Sequence, residues 1–299
     1  MSKPQIFINA DTGIDDATAI VVGLFGNELK VEGILTTRGN MSVKQTTRNT
    51  LCVLQLLGEK EIPVYVGADA PLEKTNFSVT GVHGTDGIGD FTFPKLTLKT
   101  DKNLDDFYKE LSLIEGKVSI ICIAPLTNIA LLLSTYPQCK DKIDRIIIEG
   151  GLLENDTTSP SFNVASDPKS AEIIFNSGLD ITICPSDMGH TAYLNKEDVL
   201  KIQKMGKTGE MLEFIYRSYK DRVVQKGIAT HDGCTVACLA KPELFKYKKA
   251  EISVRYITGS QVGMIYFDFE SKKPNANVCV SVDIKGFKEY LFDCIKKAP

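Results

Sequence analysis

The chain has no Cys-x-x-Cys pair, no tryptophan, no block of lysine and arginine, and no apolar run near the ~20 residues that span a bilayer. Cysteine itself is not scarce. Cys52, Cys122, Cys139, Cys184, Cys234, Cys238, Cys279 and Cys294 are scattered, mostly in apolar runs such as Val118–Ile123. That spacing argues against a zinc site or a disulfide framework, and the thiols read as reduced, buried, small hydrophobes. A net charge of −3 over 299 residues, with no basic patch, argues against a nucleic-acid partner. Without a spanning run no membrane partner is expected. Met1-Ser2-Lys3-Pro4 leads directly into an apolar strand pattern, so no secretory leader is expected and a cytoplasmic location is the default. Glycine and proline are not elevated, which leaves out disorder and fibres.

What is present begins at once. Ile6-Phe7-Ile8 reads as a buried strand, Gly13 breaks it, and an apolar helical pattern runs from Ala17 to Leu24. Asp11, Asp15 and Asp16 therefore gather where a strand ends and a helix begins. Three like charges so close are costly unless a cation or a positively polarised helix end offsets them. Oxygen ligands without nearby cysteine or histidine suit a hard cation, Ca²⁺ or Mg²⁺. The plainer alternative is helical: Asp15 and Asp16 favour a first turn and Asp11 caps it.

The same strand-then-helix unit repeats. Val31–Thr36, Pro63–Val66, Val118–Ile123, Arg145–Ile148 and Ile181–Cys184 are short and apolar, and they end in glycine, proline or acid. Helical patterns follow, among them one through Leu57 and one over Thr127–Leu133. Strands apolar on both faces, alternating with helices, predict an α/β fold: a single open, doubly wound, mostly parallel sheet with helices on both faces. No linker or internal repeat divides residues 1–299, so one domain is expected, more β-rich from Ala250 onward. In such sheets ligands bind at the carboxyl ends of the strands. Asp11, Asp15 and Asp16 follow the first strand, Asn40 the second, and Thr127-Asn128 the Val118 strand. Glu149, then Asn155 and Asn163, follow the next. A rim of carboxylates and amides suits a polyhydroxylated ligand held by a metal and hydrogen bonds.

The three histidines lie in polar, glycine-containing contexts. His83 sits in a glycine-rich loop, Gly81 to Gly89, able to close over a site, and His190 follows Asp187-Met188-Gly189. His231 precedes Asp232 just before a helical run, Cys234–Leu239. Asp232 there is either a helix cap or a ligand, and His231 is a candidate proton donor.

In order and spacing, these pieces resemble the nucleoside hydrolase family, over nearly the whole chain. The matching segments are the N-terminal aspartates, Gly39-Asn40, His83-Gly84-Thr85-Asp86-Gly87, Pro125 to Ala130, Gly150-Gly151, Phe162-Asn163, Asp167-Pro168 and His231-Asp232. The resemblance implies a Rossmann-like fold and Ca²⁺-dependent hydrolysis of the N-glycosidic bond of ribonucleosides to free base and ribose, in a homodimer or homotetramer. It implies Asp11, Asp16, Asp232 and the Thr127 carbonyl as Ca²⁺ ligands, with Asp11 also deprotonating the attacking water. Asp15, Asn40, Asn155 and Asn163 then bind the sugar, His83 closes near the base, and His231 protonates the leaving base.

Four positions depart from the family pattern. Asn9 replaces the first acid of the usual Asp-x-Asp, Arg38 a glycine, Glu149 a common methionine, and Ser161 the glutamate before Phe-Asn. They point to an altered substrate, such as a 5′-modified nucleoside, or to a weakened enzyme. Absence of tryptophan leaves out members that stack a purine between indoles; Tyr219, Arg222 and Gln225 are the candidates to face the base. Among rivals, a haloacid-dehalogenase-type phosphatase needs an acid where Asn9 stands. A phosphorylase needs a glycine-rich phosphate cradle with a basic partner, and none is present. A catalytically silent nucleoside or ribose binder remains as the alternative.

Overall fold

The computed structural model describes residues 3–75, 77, 81–153, 160–219, 227–255 and 262–299. β1 (Gln5–Ala10), β2 (Lys30–Thr36), β3 (Val64–Val66), β4 (Val118–Cys122), β5 (Ile143–Glu149) and β6 (Asp180–Cys184) lie in the order 3-2-1-4-5-6, every neighbouring pair parallel. Three strands extend the β6 edge: β7 (Phe245–Arg255), β8 (Met264–Asp268) and β9 (Ala276–Val282). β9 runs parallel to β6, β7 antiparallel to β9, and β8 antiparallel to β7. The expected mostly parallel α/β sheet is present, and its β-rich end starts at Phe245 rather than Ala250.

Helices cover both faces. They are α1 (Ile14–Phe25), α2 (Val43–Leu57), α3 (Leu104–Leu113), α4 (Thr127–Thr135), α5 (Phe162–Ser166), α6 (Pro168–Phe175), α7 (Ser186–Thr191), α8 (Lys196–Ile202), α9 (Gly206–Ser218), α10 (His231–Ala240) and α11 (Ile284–Lys297). Strand pleating sends alternate side chains to opposite faces. Ile6, Ile8, Ile121 and Ile147 join one core with α1, α9, α10 and α11. Phe7, Ile120, Ile146 and Ile148 join a second with α3, α4 and α6. α11 shows why such helices dock: Phe287, Leu291, Cys294 and Ile295 recur at helical spacing and are fully buried. All eight cysteines are buried and free of disulfides, and all but Cys52 belong to these two cores.

The strand order reverses between β1 and β4, whose onward connections run to opposite sides of the sheet. That reversal opens a crevice at the carboxyl ends, the place where such sheets bind ligands. Helix α1 begins at Ile14, so Asp15 and Asp16 lie within its first turn. No helix of the described residues is long and apolar enough to cross a membrane.

Candidate active site

The crevice is built from the loop after β1 outward. Asp11 is buried, and its Oδ2 accepts the Asn40 N–H at 2.6 Å. Gly39 makes that approach possible, because a Cβ there would stand 1.9 Å from Asp11 Oδ2. Asp16 accepts the Asp11 N–H at 3.2 Å through Oδ1 and the Gly13 N–H at 2.9 Å through Oδ2. It thus caps α1 while facing the crevice. The capping expected of Asp11 falls to Asp16, because the Asp11 carboxylate turns toward Asn40. Asn40 Nδ2 adds donors to the Asp11 carbonyl at 3.3 Å and Asp16 Oδ2 at 3.4 Å. From the other side α10 delivers Asp232 in its own first turn.

Oxygens of Asp15, Asp16 and Asp232 lie within 4.8 Å of one another. Two oxygens bound to one Ca²⁺ at ~2.3–2.6 Å stand no more than about 5 Å apart, so this spread fits a hard cation. With Asp11 and Glu149 the crevice gathers five carboxylates, and its described lining contains no lysine or arginine. Burial, opposed by the Asn40 hydrogen bond and reinforced by the Asp15 charge, pushes the Asp11 carboxyl up to about 7. Burial and then neighbouring acids hold Asp16 and Asp232 well above the usual carboxylate range. Charges this uncompensated call for a counter-cation, since the helix dipoles at α1 and α10 supply only a fraction of a charge each. Of the expected ligands, Asp16 and Asp232 enter the cluster and Asp11 stands beside it. Asp15 is its third member, although its expected role is with the sugar. Thr127 lies at the start of α4, where its hydroxyl donates to Asp167 Oδ2 at 2.6 Å.

The remaining predicted residues surround this cluster. Tyr219, just past α9, donates to Asp15 Oδ2 at 2.9 Å, and its ring packs on His83 at 5.4 Å between centroids. His83 Nδ1 accepts the Ile14 N–H at 3.2 Å, so its 3.8 Å approach to Asp15 is a contact rather than an ion pair. The loop that carries His83 is firmly built. Gly84 and Gly87 take left-handed backbone (φ 81° and 79°). Asp90 accepts the Thr85 and Asp86 N–H groups, and Gln45 and Asn49 of α2 donate to the Asp86 carbonyl. Across the crevice Glu149, at the end of β5, accepts Asn163 Nδ2 at 2.9 Å and the Ser186 hydroxyl at 2.7 Å. Burial raises the Glu149 carboxyl, while the facing His231 and the Ser186 bond pull it back. His231 Nδ1 donates to the Ser186 carbonyl at 3.1 Å, which can only accept, and His190 packs edge-on against its ring at 4.5 Å. Asn155, Arg222 and Gln225 lie outside the described residues.

Sequence reasoning marked Glu149 as an acid near the sugar but missed its link to Asn163 and Ser186. It also missed the place of Asn9. Asn9 is fully buried, donates to the Pro125 carbonyl at 3.1 Å and accepts from Asn128 Nδ2 at 2.8 Å. Asn128 in turn donates to the Thr36 carbonyl and accepts the Ala68 N–H. Asn9 therefore belongs to a satisfied network joining β1, β2 and α4, and is not among the residues lining the acidic crevice. The Ser161 hydroxyl, by contrast, is buried with no hydrogen-bond partner among the described residues.

Comparison with known proteins gives the family. Residues 6–289 match the family model described as inosine-uridine preferring nucleoside hydrolase. The chain belongs to the nucleoside hydrolase family. This nucleoside hydrolase is 34% identical to the non-specific ribonucleoside hydrolase RihC of Escherichia fergusonii, over 98% of each chain. It superposes on a plant nucleoside hydrolase with a TM-score of 0.88 at 26% identity, over 99% of each chain. Against a purine-preferring ribonucleoside hydrolase from Gardnerella vaginalis the TM-score is 0.87 at 26% identity, over 98% of each. By family it is an enzyme, a nucleoside N-ribohydrolase.

Proposed function

We propose that the chain is a Ca²⁺-dependent hydrolase of ribonucleosides, releasing free base and ribose. The observation that carries this reading is the buried convergence of Asp15, Asp16 and Asp232, flanked by Asp11 and Glu149, without a lysine or arginine in the described lining. Asp16 and Asp232 would hold the cation, with Asp15 from the observed cluster and Asp11 and the Thr127 carbonyl on family resemblance. The chemistry supplied by a bound Ca²⁺ is Lewis acidity toward the sugar diol and the attacking water.

The chain's own groups supply the rest. Asp11 takes the proton of the attacking water. Asp15, oriented by Tyr219, accepts from the ribose hydroxyls, and Asn40 and Asn163 fix the sugar beside it; Asn155 completes that set on resemblance. The ring of carboxylates stabilises the positive charge that develops on the ribose as the C1′–N bond breaks. His231 protonates the departing base. Its Nδ1–H is held by the Ser186 carbonyl, and the facing Glu149 charge favours the doubly protonated ring an acid needs. His83 and Tyr219 border the space for the base. A base and an acid on opposite faces parallel an inverting glycosidase.

The silent-binder alternative drew on Asn9 and Ser161; it loses the first, whose side chain is engaged outside the crevice, and rests on Ser161 alone. A homodimer or homotetramer in the cytoplasm is proposed on family analogy, and light scattering checks the assembly. Purified protein, given a panel of purine and pyrimidine ribonucleosides, is expected to release reducing sugar. Asp11→Ala is expected to lower turnover about 1,000-fold or more, as removal of a positioned base does. Full turnover in Asp11→Ala would contradict the mechanism.

A further inference from the structure

A second cavity, of ≈ 640 Å³, shares a wall with the acidic crevice. Asn40, Met41 and Phe162 line both. Beyond that wall the second cavity carries Arg38 and Lys74, and its described lining contains no aspartate or glutamate. Two adjoining compartments are thus of opposite sign: five carboxylates and no lysine or arginine on one side, two cations and no acid on the other. Among the described residues neither cation has a side-chain hydrogen bond or ion pair. Of the acids on the flanking segments, Glu73 is exposed and lies near Lys169, and the other two are committed elsewhere. Asp69 accepts the Val43 N–H, and Asp167 accepts the Leu72 N–H and the Thr127 and Ser170 hydroxyls.

The walls are tied down from both sides. Arg38 N–H donates to the Ala68 carbonyl at 2.9 Å, and the Thr75 hydroxyl to the Ala165 carbonyl at 3.0 Å. These bonds hold the loop after β3 between the Asn40 loop and α5. Ser42 Oγ accepts the Gln45 N–H at 3.4 Å and so keeps its own hydrogen to donate. The cavity therefore offers a guanidinium, an ammonium and a hydroxyl, a donor set suited to a phosphate or carboxylate.

We infer that this cavity receives a phosphate carried on the 5′ carbon of the substrate, so that the enzyme acts on ribonucleoside 5′-monophosphates. The inference rests on the N-ribohydrolase reading and extends it. A 2′- or 3′-phosphate would replace the hydroxyls that reading commits to the acidic crevice, and would set a dianion against five carboxylates. The 5′ carbon is the sugar position left to carry an anion across the shared wall. The bond chemistry is unchanged: the C1′–N bond breaks, water gives its hydroxyl to C1′ and its proton to the base, and the phosphate ester stays intact. The products are free base and ribose 5-phosphate.

The test compares inosine and uridine with their 5′- and 3′-monophosphates on the metal-supplied enzyme, with release of free base as readout. The 5′-monophosphates are expected to be cleaved, with kcat/KM at least about tenfold above the 3′-monophosphates. Replacing both cations (Arg38→Gln with Lys74→Gln) is expected to lower kcat/KM for the 5′-monophosphates about tenfold. That figure reflects two charge-assisted contacts from exposed side chains, discounted for solvent screening. Nucleoside turnover should stay within about twofold, and 0.5 M NaCl should weaken the preference. Nucleosides cleaved while 5′-monophosphates are not, equal cleavage of the 3′-esters, or indifference of 5′-monophosphate turnover to the double variant would each overturn the inference and leave the hydrolase reading standing. Failure to release base from nucleosides and 5′-monophosphates alike would overturn both.

Discussion

Stripping divalent cations from this protein should make its stability fall as pH rises, over a window set by the buried acids. In the unfolded chain an aspartate ionises near 3.8, whereas the folded Asp11 does so at about 7. The metal-free folded state therefore keeps a proton that the unfolded state has released. Stability linked to that proton is fully present below 3.8 and is lost progressively as pH climbs to about 7. At ~1.36 kcal/mol per pH unit the cost of ionising Asp11 reaches about 4 kcal/mol. Asp16, Asp232 and Glu149 shift in the same direction, so they deepen the loss. A chain of this length unfolds with an entropy of about 0.6 kcal/mol/K, so 4 kcal/mol corresponds to a Tm shift of about 6–7 °C. Thermal melts from pH 5 to 8 in EDTA span about 2 pH units of that loss, so Asp11 alone should lower Tm by about 4 °C there. Added Ca²⁺ should raise Tm far more at pH 8 than at pH 5, because it binds the ionised carboxylates. A flat EDTA profile, or an equal Ca²⁺ increment at both ends, would refute the argument that the acids are held together against their own charge.

Three substitutions test the supports of the site. Gly39→Ala places a Cβ 1.9 Å from Asp11 Oδ2 and must displace that carboxylate; it should cost about 1–3 kcal/mol in thermal melts and about 100-fold in ribose release. Asn128→Ala leaves the Ala68 N–H and Asn9 Oδ1 without a partner, while the Thr36 carbonyl keeps the Gly67 N–H, and urea unfolding should show a loss of about 3 kcal/mol. Ser161→Ala removes a buried hydroxyl that bonds to nothing among the described residues, so stability should hold or rise by up to about 1 kcal/mol; a drop of that size would reveal a partner for it.

Local patterns carried much of this into the sequence. β1, β4 and β5 carry short apolar runs that end at Asn9, Pro125 and Glu149, so strand, strand end and rim were all legible. Asp15, Asp16 and Asp232 read equally well as helix-start acids, and Asp16 does bond the Gly13 N–H while it also faces the crevice. What stayed hidden depends on side-chain direction across separate elements. Glu149, Asn163 and Ser186 come from β5, α5 and α7, and no spacing along the chain announces their contact. Asn9 stands two residues before Asp11, yet strand alternation alone does not say that its amide is taken by Pro125 and Asn128. Arg38 stood out as a departure, but its pairing with Lys74 exists only because the loops after β2 and β3 meet.

On the proposed function, the acidic crevice performs cation-dependent cleavage of the N-glycosidic bond. The most direct measurement is ribose release from inosine and uridine by protein stripped with chelator, then titrated with CaCl₂. Turnover that vanishes on stripping and returns with Ca²⁺ is the predicted result. Undiminished turnover in the stripped protein, or none at any Ca²⁺ concentration, would contradict it.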